Sequence, residues 1–186
     1  MPFSHLVGFD DAPFTVDSVE TVAVVGAVFA GERLDGVLST RVTRDGSDST
    51  DALIELLART RFRPQLQAVL LQGIAFAGFN VIDLERLADS SGLPVLAVTR
   101  HAPDLPAIRR ALLERVPGGA EKWRLIEQAG PMEPMAGLWV QRVGIGRADA
   151  DTLIARSARH GRLPEPLRTA HLIAGGVVRG ESTHRA

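Results

Sequence analysis

The chain predicts an α/β fold built on a mixed β-sheet with helices on both faces, and three observations carry that expectation. Strand-like runs come first, at residues 6–9, 21–29 and 34–43, with short turns suited to antiparallel pairing. Helical and apolar strand-like runs then alternate from Ser49 to Val116, the order that generates parallel strands. The 186 residues are 45% hydrophobic and 23% charged, enough apolar material for one core and too little charge imbalance for disorder. A single domain over residues 1–186 is expected.

The first apolar run, Leu6-Val7-Gly8-Phe9, is halted by Asp10-Asp11, and residues 21–29 are rich in β-branched side chains. Residues 30–33 have turn character, and 34–43 alternate loosely as a third strand. Asp45-Gly46-Ser47-Asp48-Ser49-Thr50 supplies turn and capping residues ahead of the helical pattern Ala52-Leu53-Ile54-Leu56-Leu57, so a helix begins near Ser49. Residues 67–71, apolar from Ala68 onward, read as a central strand. A helix over 81–88 follows, with Asn80 as its N-cap and Asp83 in its first turn. Next come a strand over 94–98 and a helix over 105–116. Residues 117–135, with Gly118-Gly119, Pro131 and Pro134, read as an insertion or cover holding a short helix over 121–128. A strand over 138–145 and helices over 149–160 and 165–178 complete the pattern, the last entered through Pro164-Glu165-Pro166. The polar tail 181–186 is expected to fray. Three antiparallel strands followed by parallel ones is the order of the ribonuclease H-like fold.

Composition narrows the chemistry. With no cysteine, any metal must be held by oxygen or imidazole. No apolar run approaches the ~20 residues that span a bilayer, and residues 1–5 lack a basic region ahead of an apolar one, so cytoplasmic residence without a membrane partner is expected. A formal net charge of -1 argues against tight nonspecific DNA binding by the molecule as a whole. Arg142, Arg147, Arg156, Arg159, Arg162, Arg168, Arg179 and Arg185 nonetheless crowd the final third against Asp149, Asp151, Glu165 and Glu181. They form either a local basic face or ordinary solvated helix surfaces. Lys122 is the sole lysine, so arginine, with its planar bidentate fork, carries almost all positive charge.

Acids cluster where strands end. Asp10 and Asp11 close the first strand, and because side chains alternate, one faces a cleft and the other turns away. Asp45 and Asp48 lie between the third strand and a helix N-terminus. Carboxylates converging at such an edge make a hard-oxygen site for Mg²⁺ and hence for phosphodiester hydrolysis; the same residues also suit turns and caps. After the central strand, Gly73 and Gly78 keep a loop slim enough for close approach of a ligand. Phe76 and Phe79 either stack on a base or plug the core. His171 and Arg168, three apart, share a helix face, as a proton shuttle and phosphate clamp or as a half-buried histidine beside a solvated arginine. No nucleophile elbow, phosphate-binding Walker loop or dinucleotide fingerprint is present.

Several separated stretches, in order, carry a resemblance: Gly8 to Phe14, Asp45 to Thr50, Leu71-Gln72-Gly73-Ile74-Ala75-Phe76-Ala77-Gly78-Phe79-Asn80-Val81-Ile82-Asp83, Pro94-Val95 with Arg100 and Pro103-Asp104, and residues 163–173. Together they resemble the endonuclease dU family, also known as domain of unknown function 99, a relative of endonuclease V. The resemblance implies a ribonuclease H-like core and Mg²⁺- or Mn²⁺-dependent cleavage of DNA near deaminated bases such as deoxyuridine. It also implies metal ligands drawn from Asp10, Asp11, Asp45 and Asp48, with His171 assisting proton transfer. Gly73, Phe76, Gly78, Phe79, Asn80 and Arg168 would then contact substrate. One position departs from the pattern: endonuclease V-like enzymes carry an aspartate before the loop glycine, where this chain has the neutral Gln72. The alternative is therefore a noncatalytic nucleic-acid- or protein-binding module on the same scaffold.

Overall fold

A computed structural model describes residues 3–15 and 20–183; Arg185 and the end of the polar tail lie outside them. The first strand, β1 (His5–Asp11), pairs antiparallel with β2 (Thr21–Ala30), which pairs antiparallel with β3 (Arg33–Thr43). The acids expected to halt the first strand are part of it, since Asp10 pairs with Val25 and Asp11 with Val24. Cross-strand pairing there overrides the low strand propensity of aspartate. Helix α1 (Ser49–Arg59) starts where the capping run places it.

The central strand β4 (Ala68–Gln72) runs parallel to β1 and to β7 (Val95–Thr99). Between them the chain makes a small hairpin, β5 (Ala75–Phe76) with β6 (Asn80–Val81), and then α2 (Leu84–Ser91). This corrects the expected helix over 81–88. Asn80 and Val81 are claimed by the hairpin, and Asp83 is the N-cap, accepting from the Arg86 N–H at 2.9 Å. Helices α3 (Leu105–Arg115) and α4 (Gly119–Gln128) follow, then β8 (Glu133–Met135) paired with β9 (Leu138–Val143). β8 falls in the expected insertion and gave no strand signal. β9 joins β7 antiparallel, and α5 (Arg147–Ser157) and α6 (Glu165–Arg179) end the described fold.

Among the described residues, one seven-stranded sheet has the order β3-β2-β1-β4-β7-β9-β8. Strand alternation divides its residues between two layers. Val7, Phe9, Val69 and Leu71 pack with Leu53 and Leu57 of α1 and Leu84 and Leu87 of α2. On the opposite face Leu6, Leu70, Leu96 and Val98 pack with Leu153 and Ile154 of α5 and Leu167 of α6. A smaller cluster of Val81, Leu112 and Ile126 joins the β5–β6 hairpin to α3 and α4. No helix among the described residues is long and apolar enough to cross a membrane.

Gly8 fixes how α6 sits. A Cβ there would lie 2.5 Å from the Pro166 carbonyl carbon and 2.6 Å from the Leu167 nitrogen, so the helix backbone rests directly on β1. That contact brings the next turn of α6 down to the end of the strand.

Candidate active site

The first consequence of this packing is a pair. On the α6 side of β1, Asp10 is 4% exposed, and its Oδ2 accepts a 2.8 Å hydrogen bond from Nδ1 of His171. The carboxylate holds the imidazole in one orientation, as a positioned acid–base group requires. Gln72 stands on the same rim. Phe9 pairs with Leu71 in the parallel β1–β4 ladder, so one step further sets Asp10 beside Gln72 at the C-terminal ends of adjoining strands. The Oε1 atom of Gln72 is buried and has no hydrogen-bond partner among the described residues. Leaving such an acceptor unsatisfied costs about 1–3 kcal/mol.

Asp11, pointing to the other face of β1, does different work. Its Oδ2 accepts from the Ala77 N–H at 2.7 Å, and its own N–H donates to Asp10 Oδ1 at 3.0 Å. Burial pushes its carboxyl up to about 6, with the neighbouring Asp10 charge adding to the rise and the Ala77 N–H opposing it.

The hairpin loop that Asp11 grips is held from a second side by Asp45. Ala77 and Gly78 both have positive φ, at 47° and 83°, and Asp45 itself has φ 51°. Backbone in this region persists where its surroundings dictate it. Here the Asp45 N–H donates to the Ala77 carbonyl at 2.9 Å, and Asp45 Oδ1 accepts from the Phe79 N–H at 2.8 Å. Gly78 is needed twice over, because a Cβ would fall 2.3 Å from that same Oδ1. The buried Lys122 of α4 donates to the Asp45 carbonyl, and burial holds its ammonium below the ordinary lysine range.

Asp48 and Asn80 lock the base of the loop. Asp48 accepts from the Thr43 N–H and hydroxyl and from the Asn80 amide at 2.6 Å. Burial alone would raise its carboxyl, but these bonds outweigh it and hold it below the usual carboxylate range. Asn80, fully buried, also donates to the Thr43 carbonyl and accepts from the Ser49 N–H.

The four acids singled out in sequence are thus divided. Asp10 is bonded to His171 and neighbours Gln72 in strand register, while Asp11, Asp45 and Asp48 are bonded to backbone and side chains around the β5–β6 loop. Among the described residues no three histidine, aspartate or glutamate side chains cluster around one point, so an ion at this rim would draw on other oxygen donors as well. Phe76 is fully buried and serves the core. Phe79 and Gly78, with Ile74, Thr99, Ile108 and Gln141, line a mostly apolar cavity of about 220 Å³ next to the loop. Gly73, with φ 82°, turns the chain from β4 into that loop, its N–H bonded to the Val98 carbonyl. Arg168 is occupied by Glu165, which also accepts from His160. Burial would raise the Glu165 carboxyl, but those two partners hold it low. Sequence reasoning passed over Lys122 as a site-forming residue; its being the sole lysine, amid so many arginines, was the available signal.

Fold and rim together define a ribonuclease H-like α/β protein with a carboxylate–imidazole pair at the edge of its central strands, the fold that endonuclease V also has. The endonuclease dU family model matches residues 2–178, and the chain belongs to that family. A UPF0215 protein of Deinococcus radiodurans is 59% identical over 179 residues, covering 96% of this chain and 91% of the relative. Another, from Methanothermobacter thermautotrophicus, is 45% identical over 182 residues, covering 96% and 89%. Among solved structures, a protein of unknown function from Archaeoglobus fulgidus superposes with a TM-score of 0.88 at 31% identity, over 95% of this chain and 99% of that one. Human endonuclease V gives 0.59 at 21% identity, over 96% and 85%. The Ciona intestinalis endonuclease V, solved in complex with a 24mer DNA containing an inosine, gives 0.56 at 15%, over 90% and 83%. The endonuclease V likenesses establish a shared fold.

Proposed function

We propose that this protein is a divalent-metal-dependent endonuclease that cuts DNA at or beside a deaminated base such as deoxyuridine. The observation that carries the reading is the Asp10–His171 pair standing beside the unsatisfied Gln72 oxygen on the rim formed by β1 and β4. An oxygen buried without a partner, next to a carboxylate, is the arrangement a hard cation completes, so the donors fit Mg²⁺ or Mn²⁺ with water and substrate phosphate filling the remaining positions. Asp10 and Gln72 would hold the ion, which when bound supplies charge stabilisation at the phosphate and a more acidic water. With one carboxylate rather than two, the site holds its ion weakly and works slowly.

The remaining residues follow from their positions. His171, oriented by Asp10 and partly exposed, handles the proton at the scissile phosphate. Asp11, Asp45 and Asp48 position the β5–β6 loop, and Gly78 and Phe79 present the adjacent cavity to a base turned out of the strand. The endonuclease dU family membership and the endonuclease V structure solved with inosine-containing DNA support this substrate class.

A second reading, a nucleic-acid- or protein-binding module without catalysis, is favoured by the neutrality of Gln72 and the structural engagement of three of the four acids. The deciding experiment incubates purified protein with uracil-containing, inosine-containing and undamaged oligonucleotides in Mg²⁺ or Mn²⁺. Metal-dependent cleavage of a deaminated substrate that is absent in Asp10→Asn is expected. No cleavage of any substrate by folded protein, with Gln72→Asp equally silent, overturns the enzyme reading in favour of the binding module.

A further inference from the structure

Beyond the rim, three parts of the chain meet at one hollow, and two of them bring basic side chains to it. Arg100 and His101 follow the end of β7, Gly137 lies in the β8–β9 turn, and Arg162 precedes α6; with Leu138 and Leu163 they line a cavity of about 330 Å³. No acid is in that lining. Gly137 has φ 78°, and a Cβ on it would lie 3.2 Å from Arg162 Cδ, so the glycine lets the arginine stem cross the turn. Neighbouring arginines are paired internally: Arg142 and Arg147 share Glu133, and Arg168 pairs with Glu165. Arg100 and Arg162 have no ion pair among the described residues. Two arginines lining one hollow with no acid in that lining leave positive charge uncompensated there, which an anion would neutralise. Their planar donor forks match phosphate oxygens.

The position of the hollow says which phosphate. β7 adjoins β4, with Gln72 paired to Val98, so Arg100 emerges on the same sheet edge as the Asp10–Gln72 rim. Arg162 lies just before α6, the helix that carries His171 to the rim, so one segment of chain links hollow and rim. We propose that Arg100, His101 and Arg162 form a subsite for a backbone phosphate of the bound strand, offset from the cleavage position toward β7 and β9. This inference rests on the nuclease reading and adds the direction in which the strand leaves the rim. It also adds a phosphate contact from arginines that, unlike Arg168, have no carboxylate partner among the described residues.

The test is fluorescence anisotropy with a fluorescein-labelled uracil-containing DNA duplex, titrated across salt concentrations in EDTA, alongside the cleavage assay. Arg100→Ala/Arg162→Ala removes two exposed side chains without described bonds, and an unchanged melting temperature verifies the fold. Binding should weaken roughly tenfold, equally for uracil-containing and undamaged DNA, and the log–log salt slope should become shallower by about 1. Arg59→Ala/Arg61→Ala, an equal charge change at the far end of α1, should leave both values unchanged. Equal binding by wild type and Arg100→Ala/Arg162→Ala overturns the subsite while leaving the nuclease reading intact. Equal weakening in both double variants overturns it too, since net charge alone would then account for the loss. Wild-type protein that binds no duplex overturns the subsite, and cleavage then decides the nuclease reading separately. Displacement of the duplex by low-millimolar inorganic phosphate, lost in Arg100→Ala/Arg162→Ala, would reassign the hollow to free phosphate.

Discussion

His171 and Asp10, 161 residues apart in the chain, meet through a 2.8 Å hydrogen bond at the end of the first strand. A pairing over such separation makes the imidazole depend on the docking of α6, and it gives the ring one orientation toward the rim. His171→Ala should lower metal-dependent cleavage of a uracil-containing oligonucleotide by about 10²–10⁴-fold, the usual worth of a positioned proton-transfer group. KM should change little, since the loss falls on the transition state. Wild-type turnover by His171→Ala would remove this residue from the chemistry.

Gly8 is the hinge of that arrangement. The atoms a Cβ would meet are backbone atoms of Pro166 and Leu167, which cannot rotate aside as the tip of a side chain can. Gly8→Ala therefore pushes α6 away from β1, at a cost of about 1–3 kcal/mol for overpacking, and separates His171 from Asp10. Urea denaturation should show the lost stability and the cleavage assay a parallel loss of rate. A Gly8→Ala protein as stable and as active as wild type would mean that α6 does not rest on the strand.

Gln72 sets stability against function. Its Oε1 is buried without a partner among the described residues, so Gln72→Met, of similar volume and without that acceptor, should unfold at equal or higher urea concentration, with a gain of up to about 1 kcal/mol. The same variant should lose any thermal stabilisation that wild-type protein gains from Mn²⁺. If Gln72→Met is instead destabilised by more than about 1 kcal/mol, the amide has a structural partner and the rim assignment weakens.

Much of this architecture was legible in sequence where local chemistry and tertiary pairing agree. The run from Asp45 to Thr50 announces α1 at Ser49, and the β-branched residues of β2 and the turn after it announce the first hairpin. The signal fails where long-range contacts decide. Asn80 and Asp83, three residues apart, are both good caps, and only the pairing of Phe76 with Asn80 leaves the role to Asp83. The two-residue strands β5 and β6 are too short to show a period. At the site, Asp10 and His171 stood out as candidates from a strand end and a helix face, but their contact, between residues 161 apart, could not be read. The division of labour among the acids could not, because it depends on backbone N–H groups of Ala77 and Phe79 presented by a loop with left-handed residues.

Asp11 makes that division measurable by pH. Its carboxyl is raised from 3.8 to about 6 in the folded protein, chiefly by burial. The folded state then holds a proton that the unfolded chain releases at lower pH. Below the unfolded value both states are protonated and Asp11 contributes no pH dependence; between about 4 and 6 the folded state binds more protons, so stability falls as pH rises, levelling above 6. The slope from this one group is at most about 1.4 kcal/mol per pH unit. Asp11→Asn keeps an oxygen to accept from Ala77 and removes the titration. Urea denaturation in EDTA from pH 4 to 7 should therefore show wild-type stability falling relative to Asp11→Asn across that window. Parallel curves for the two proteins would mean that Asp11 titrates like an exposed aspartate, and that its burial against the β5–β6 loop is not maintained in solution.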